Sequence, residues 1–488
     1  RSLTISTPFP YWKRGGAVLI GACLIGLCIF GIRGRTGYNP IKVSAAYFCQ
    51  DAFLNQLGVS PTFNLLTSVM DDMRPENKYL HLMDEQEAIT KAQALLNRPG
   101  DANVSPLAVY RHAAKADSVQ QRRPNVVLIM MESMSAKFMK HFGQSETLTP
   151  FLDSLYTRSI SFRNFYSAGI HTNHGLYATL YSFPAMMKRN LMKGSVIPRY
   201  SGLPTVLKEN GYYNLFFMTH EGQYDNMNAF FRTNGYDEVF SQEDYPADKV
   251  VNSFGVQDDF LYDYAIPVLN QRAATGQPFF ATLLSISNHP PYVIPPFFHP
   301  KTSEPEMQIV EYADWALRQF FEEARKQPWF DNTIFVLEGD HGKLVGDAEC
   351  ELPESYNHIP LMIYSSRIQP EEKTAFGGQV DIQPTILGLL NIDYLQNNFG
   401  VDLLKEERPC MFYTADNMVA GRNDTLLYLY NYETQQELTY DIGNGKLNAV
   451  PMDDSFLPLK EYSFSMLQSA EFLVKHGKTL NSIPFTQQ

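Results

Sequence analysis

Four apolar runs in this sequence each end on side chains able to do chemistry. Asn125–Met131 (NVVLIMM) is followed by Glu132, and Asn214–Met218 (NLFFM) by Thr219 and His220. Phe279–Ile286 (FFATLLSI) is followed by Ser287, Asn288 and His289, and Thr333–Leu337 (TIFVL) by Glu338, Gly339, Asp340 and His341. Singly, each has an ordinary reading: Glu132 is an acid in a helix's first turn, and Asp340-His341 is a turn with a hydrogen-bonded histidine. The same coincidence at four run ends is what the ordinary reading fails to explain. A carboxylate from one run, with Asp and His from another, gives a compact oxygen and nitrogen set for a divalent cation. Hydroxyls are poor nucleophiles at neutral pH, and such an ion activates them. Thr172 lies in the stretch SAGIHTNHG (167–175), between an expected strand Ser161–Tyr166 and a helical stretch Leu176–Tyr181. A helix N-terminus there would offer free N–H groups to a phosphate. By local sequence alone, a plain N-cap threonine reads the same way.

The elements that must position these groups are an α/β set. Apolar runs alternate with helical stretches from Pro124 onward, as in a mostly parallel sheet sandwiched by helices. Ile359–Tyr364 is a further strand; Pro150–Arg158, Pro204–Asn210, Asp258–Gln271 and Val310–Lys326 are the intervening helices, and Pro384–Leu390 starts another. Ligands bind outside the carboxyl ends of strands in such sheets, so all four run ends fall on one rim. Beyond about Gly400 the pattern turns to short strands, Cys410–Thr414, Thr425–Tyr432 and Gln436–Tyr440, with Asp441–Gly445 as a turn and Ser463–Val474 as a closing helix. These form a small C-terminal antiparallel extension.

Upstream, Gly15–Ile32 is eighteen residues without a charge, flanked by Lys13, Arg14, Arg33 and Arg35. Its length fits a transmembrane helix; the alternatives are a buried core helix and a signal peptide, though no small-residue cleavage site follows closely. The balanced flanking charge gives no orientation. Val43–Leu57 and Glu85–Leu96 read as helices of a connector. The expected organisation is an N-terminal segment with the transmembrane helix (1–35), a membrane-proximal helical connector (36–122) and a catalytic domain (123–488).

A net charge of −12 without a Lys/Arg cluster excludes a nucleic-acid partner. Isolated basic residues such as Lys188, Arg189, Lys193 and Arg199 belong on a solvated surface or near an anionic ligand. The five cysteines form no CxxC pair, which argues against a zinc ribbon. Cys350 and Cys410 leave a disulfide open in an oxidising compartment.

The ordered stretches PNVVLIMMESMS, LTPFLDSLYTRSISFRNFYSAG, GIHTNHG, GYYNLFFMTHEG, SISNHPPY, FVLEGDHG and GGQVDIQPTILGLL resemble the lipoteichoic acid synthase family of the alkaline phosphatase and sulfatase superfamily. The resemblance covers about Pro124 to Asp441. It implies that fold, and one divalent ion held by Glu132, Thr172, Asp340 and His341, with Mn2+ as first choice and Mg2+ or Zn2+ as alternatives. It implies Thr172 as the nucleophile forming a phospho-threonine, His289 as a catalytic and phosphate-contacting group, and His358 near a second metal or the substrate. The donor would be a membrane phospholipid and the acceptor an envelope glycan or lipid, with the catalytic domain outside a bacterial cytoplasmic membrane. One departure stands out: the Trp- and Arg-containing stretch of glycerophosphate polymerases is replaced after His220 by Glu221–Asn228 (EGQYDNMN). Here His220, Asp225 and Asn226 are candidates for the head group, with an Asx-turn as the ordinary reading of the last two. No C/S-x-P-x-R motif of formylglycine sulfatases occurs. A phosphodiesterase or phosphatase on the same fold, and a catalytically silent membrane scaffold, are the rival readings.

Overall fold

The computed structural model describes residues 11–36, 40–49, 52–74, 77–97, 105, 107–114, 123–194, 197–443 and 445–481. In chain order, β1 (Tyr110–Ala113) precedes the main-sheet strands β2 (Asn125–Met131), β3 (Ile160–Tyr166), β4 (Tyr213–Met218), β5 (Glu238–Phe240), β6 (Phe279–Leu284), β7 (Thr333–Gly339), β8 (Leu361–Tyr364) and β9 (Glu371–Gly378). The main sheet runs β5-β4-β6-β2-β7-β8-β3-β9. Every neighbouring pair is parallel except those made by β8, which is antiparallel to both β7 and β3. Parallel neighbours need a long crossover, usually a helix. The chain between β7 and β8 holds only the 3-10 turn Glu354–Tyr356, so β8 returns from the same rim.

The central strands are buried along their whole length, and their side chains divide by the two-residue period of a strand. Val126, Leu128 and Met130 enter one apolar core, while Val127, Ile129 and Met131 enter the other on the opposite face. Helices Asp258–Ala273 and Pro305–Ala324 cover the second face. Helices Thr172–Tyr181 and Ile382–Leu389 sit on the first.

The remaining strands are β10 (Tyr394–Asn397), which pairs with β1, and an antiparallel meander β11 (Met411–Thr414), β12 (Met418–Arg422), β13 (Leu426–Asn431), β14 (Gln436–Gly443) and β15 (Lys446–Ala449). The expected turn over Asp441–Gly445 is corrected: β14 continues to Gly443 and pairs with β15 through Asp441 and Ile442. The closing helix, Leu457–Lys475, packs on helix Glu85–Leu96 with ion pairs Lys475–Glu85 and Lys91–Glu461. Arg111 of β1 is fully buried and donates to the carbonyls of Asn398 (2.7 Å) and Gly400 (3.0 Å). The second half of the connector is therefore built into the body.

Other expectations also change. Val43–Leu57 is not one helix but a 3-10 turn Val43–Ala46 and a short helix Ala52–Leu57. Arg189 is not a surface cation: it is buried and forms a bidentate pair with Glu471 at 3.0 and 2.8 Å. Cys350 and Cys410 are free thiols. Helix Tyr11–Arg33 contains the span Gly15–Arg33, long and apolar enough to cross a membrane and not buried among the described residues, which goes against the core-helix alternative.

The buried pair Arg408–Asp381 ties the C-terminal meander to the main sheet. Arg408 donates through Nε to Asp381 Oδ2 at 2.9 Å and through Nη1 to Tyr462 OH at 2.6 Å. Asp381 accepts also from Gly378 N and Val401 N. Arg408→Ala would leave that carboxylate buried and short of its cation, and is expected to cost about 3–5 kcal/mol. Denaturant unfolding of the variant checks it; a loss below about 1 kcal/mol, the scale of an exposed pair, would contradict the assignment.

Candidate metal centre and nucleophile

The parallel order β4-β6-β2-β7 brings the four expected strand ends to one rim. Glu132 follows β2 and Asp340 and His341 follow β7, its direct neighbour. One ligand atom from each of Glu132, Asp340 and His341 lies within 4.8 Å of the others. Both carboxylates are buried, Glu132 at 1% exposure and Asp340 at 0%. His341 Nε2 is 3.9 Å from Glu132 Oε1 and 3.7 Å from Asp340 Oδ2.

Three features mark this as a cation site. Asp340 Oδ2 is buried without a hydrogen-bond partner among the described residues, a costly state for a carboxylate oxygen. Burial, and next the neighbouring Asp340, push the Glu132 carboxyl well above its ordinary value. His341 Nδ1 stands 2.7 Å from the Gly342 carbonyl, so its N–H is used there and Nε2 is left facing the carboxylates. A divalent ion would supply the missing partner and the missing charge, so the residues present fit one.

Thr172 opens helix Thr172–Tyr181 directly after the extended residue His171. Its Oγ1 lies 3.4 Å from Glu132 Oε2. The helix start is pressed onto the end of β7: a Cβ on Gly175 would fall 2.2 Å from the Asp340 carbonyl oxygen, so only glycine permits that approach. The hydroxyl, the ion site and the helix's free N–H groups thus share one small volume.

Of the residues that support the site, only Asn288 stands among the polar run ends read from sequence. Ser133, held in the left-handed region at φ 50°, donates its Oγ–H to Glu132 Oε1 (2.7 Å) and its N–H to Asp340 Oδ1 (2.8 Å). Ser285 Oγ accepts from Glu132 N. Asn288 Nδ2 donates to the carbonyls of Glu132 and Ser133, and Lys343 Nζ grips Asn288 Oδ1 at 2.7 Å. Gln379 Nε2 donates to the Asp340 carbonyl at 2.8 Å while its Oε1 accepts from Ala168 N. Ser133, Ser285, Asn288 and Gln379 lie within the quoted motifs and Lys343 directly after one, but type and spacing alone do not reveal a support role.

The candidate substrate residues separate. His289 is half-buried, its ring 4.0 Å from Phe254 and its Nδ1 2.6 Å from the Pro290 carbonyl. Burial lowers the His289 pKa below its ordinary value and pushes that of His220 down to about 4, so both favour the neutral form at pH 7. Asp225 accepts from Asn173 Nδ2 (3.3 Å) and pairs with Lys193 (2.8 Å). It therefore stands one residue from the nucleophile. Asn226 instead donates to the Met192 carbonyl at 3.0 Å and holds that loop. His358 is not brought to the cluster: its ring stacks on Tyr166 and its Nε2 donates to the Arg163 carbonyl at 2.8 Å.

The family model for the sulfatases matches residues 124–392, more than half of the chain and all of the rim just described. The chain belongs to the sulfatase family. Within that family it is similar to lipoteichoic acid synthase 1 of Bacillus subtilis, 25% identical over 350 residues, covering 66% of this chain and 53% of that protein. The lipoteichoic acid synthase of Staphylococcus saprophyticus is 24% identical over 367 residues, covering 68% and 54%. The chain spans about half the length of these curated relatives. Among solved structures, an alkaline phosphatase superfamily protein from Vibrio parahaemolyticus superposes with a TM-score of 0.71 at 25% identity, covering 82% of this chain and 98% of that one. The lipoteichoic acid synthase LtaP from Listeria monocytogenes superposes at 0.64 and 19% identity, covering 80% and 98%, which shows the shared fold. The alkaline phosphatase and sulfatase fold expected from the ordered motifs is the fold observed.

Proposed function

We propose that this sulfatase-family protein is a membrane-anchored phosphotransferase that moves a phosphorylated head group from a phospholipid to an envelope acceptor through Thr172. The observation that carries the reading is the placement of the Thr172 hydroxyl 3.4 Å from Glu132, beside the carboxylate whose other neighbours are Asp340 and His341. Similarity to lipoteichoic acid synthases supports transfer of phosphoglycerol or a related group.

Glu132, Asp340 and His341, with Thr172 Oγ, would hold one divalent ion, Mn2+ or else Mg2+ or Zn2+. When bound, that ion lowers the pKa of the hydroxyl and neutralises phosphoryl charge. The Thr172 oxygen attacks phosphorus, the diacylglycerol oxygen leaves, and a phospho-threonine remains until an acceptor hydroxyl displaces it. The N–H groups at the start of Thr172–Tyr181 face the phosphoryl oxygens. His289, neutral with Nδ1–H donated to Pro290, would offer its Nε2 lone pair to take the proton of an attacking hydroxyl, and would return that proton to the diacylglycerol oxygen as it leaves. Asp225, with Asn173 and Lys193, orients the head group, and an acid and amides there suit a cationic or hydroxyl-rich head such as ethanolamine or glycerol.

The test is incubation of the purified protein with head-group-labelled phosphatidylglycerol and phosphatidylethanolamine and a membrane extract, followed by product analysis. Transfer to an acceptor is expected, without a processive glycerophosphate polymer. Release of free phosphorylated head group whether or not acceptor is present would favour the phosphodiesterase reading, and no turnover with bound Mn2+ the scaffold. Asp225→Ala is expected to raise the donor KM about tenfold, the loss of one charge-assisted hydrogen bond, with metal affinity unchanged. Equal donor kinetics would remove Asp225 from the site. Protease shaving of spheroplasts is expected to release the body, with the second half of the connector, from its anchor; a protected body would contradict the extracytoplasmic placement.

A further inference from the structure

Helix Pro61–Asp72 is amphipathic in the inverse sense. Its outward residues are apolar and exposed: Leu65 65%, Leu66 61%, Val69 49% and Met70 63%, followed by Met73 at 77%. Apart from Phe63, its half-buried residues on the side toward the protein are polar: Asn64, Thr67, Ser68 and Asp71. A helix of a water-soluble surface places these the other way round. The short helix Ala52–Leu57 repeats the pattern, with Asn55 buried while Leu54 and Leu57 are exposed, and Phe48 just before it is 72% exposed.

We propose that this outward face lies in the membrane interface, so that the bilayer touches the protein a second time beyond the spanning helix. Continuity with that helix supports it. The chain turns back at once, with Ile41 N donating to Arg33 O, and the base of the span is clamped to the body by Arg35–Glu221 at 2.6 Å. Lys42 N donates to Gln223 Oε1 and Asn228 Nδ2 to the Tyr47 carbonyl. The connector is therefore fixed at the level of the bilayer surface. Lys42, Arg74 and Lys193 line, together with Asp71, a cavity of about 310 Å3 between the helix and the body. Burial, and next Lys193, lower the Lys42 pKa, while Asp225 and Glu221 act against them; Lys193 pairs with Asp225 and Arg74 with Asp71. An apolar helix face turned outward beside a spanning helix is how an interfacial helix lies, its apolar side in the headgroup boundary. The cavity also reaches Asn226, next to Asp225, so the headgroup plane would border the Thr172 site.

The test uses the full chain with Cys23, Cys28, Cys49, Cys350 and Cys410 replaced by Ser, in nanodiscs of phosphatidylcholine and phosphatidylglycerol. An environment-sensitive fluorophore is attached to Leu66→Cys, to Val69→Cys, or to Lys326→Cys at the opposite end of the sheet. Lipid-borne nitroxide is expected to quench the first two probes strongly and the third not at all, with aqueous iodide showing the reverse order. Iodide quenching of the Leu66 probe equal to that of Lys326 would overturn the proposal by showing a solvent-exposed helix. Quenching by neither agent would overturn it by showing that protein, a second copy or another segment, covers the face. Both readouts are independent of turnover, so the enzymatic reading can fail without affecting them.

Discussion

Thr172→Ala is expected to lower turnover by about 10⁴-fold or more, the scale on which deleting a covalent nucleophile acts. The side chain is half-buried at the first helical position, and among the described residues its hydroxyl makes one long hydrogen bond, to Glu132. Removing it should therefore change stability by no more than about 1 kcal/mol. Thr172→Ser retains the hydroxyl and should keep a measurable part of the activity, because attack needs the oxygen and not the methyl group. A direct signature follows from the two-step scheme. Donor labelled in the phosphorylated head group, given without acceptor, should leave label on the wild-type protein and none on Thr172→Ala. A variant with ordinary turnover, or label retained on it, would rule out attack by Thr172. A structural threonine would be indifferent to the labelling experiment, which is what separates the two roles.

The chemistry was legible because buried parallel strands are continuous apolar runs, so their ends are visible as the first polar residues. Glu132, Asp340 and His341 were found that way, and the order β4-β6-β2-β7 then makes them neighbours. Less legible were groups whose role depends on who faces them. Ser133 and Gln379 look like any serine and glutamine until their partners Glu132 and Asp340 are known. His358 reads like His289 in sequence, each beside an asparagine and an apolar strand, yet β8 runs against its neighbours and turns it onto Tyr166. Edge strand β9 hides behind the charges of EEKTAFGG, since edges carry charge where interior strands do not. Helix Pro61–Asp72 escaped notice because its periodic apolar residues point away from the protein core.

Removing metal is expected to make the stability of this protein fall as pH rises, an effect opposite to that of a salt-bridged carboxylate. Burial and the neighbouring Asp340 hold the Glu132 carboxyl well above 4.5, so the folded, metal-free protein keeps a proton there that the unfolded chain has lost. Wherever the folded state binds more protons than the unfolded one, raising pH favours unfolding. The window opens near the ordinary glutamate value and closes at the raised folded value. Above it the destabilisation is complete. A divalent ion replaces that proton, so its stabilisation should grow with pH and reach about 3 kcal/mol at a hundredfold excess over Kd. Glu338 and Asp258 are raised by burial too, so the comparison that isolates the site is with Glu132→Gln, which cannot titrate. Chelator-treated wild type should melt lower at about pH 8 than at about pH 5.5, and by more than Glu132→Gln does. Mn2+ should restore the wild type and leave Asp340→Asn nearly unmoved, since Asp340 supplies the oxygen that otherwise has no partner. Equal pH slopes in wild type and Glu132→Gln, or a Tm of the chelated protein that Mn2+ does not raise, would mean that these buried carboxylates are held by the fold alone and that no cation sits between them.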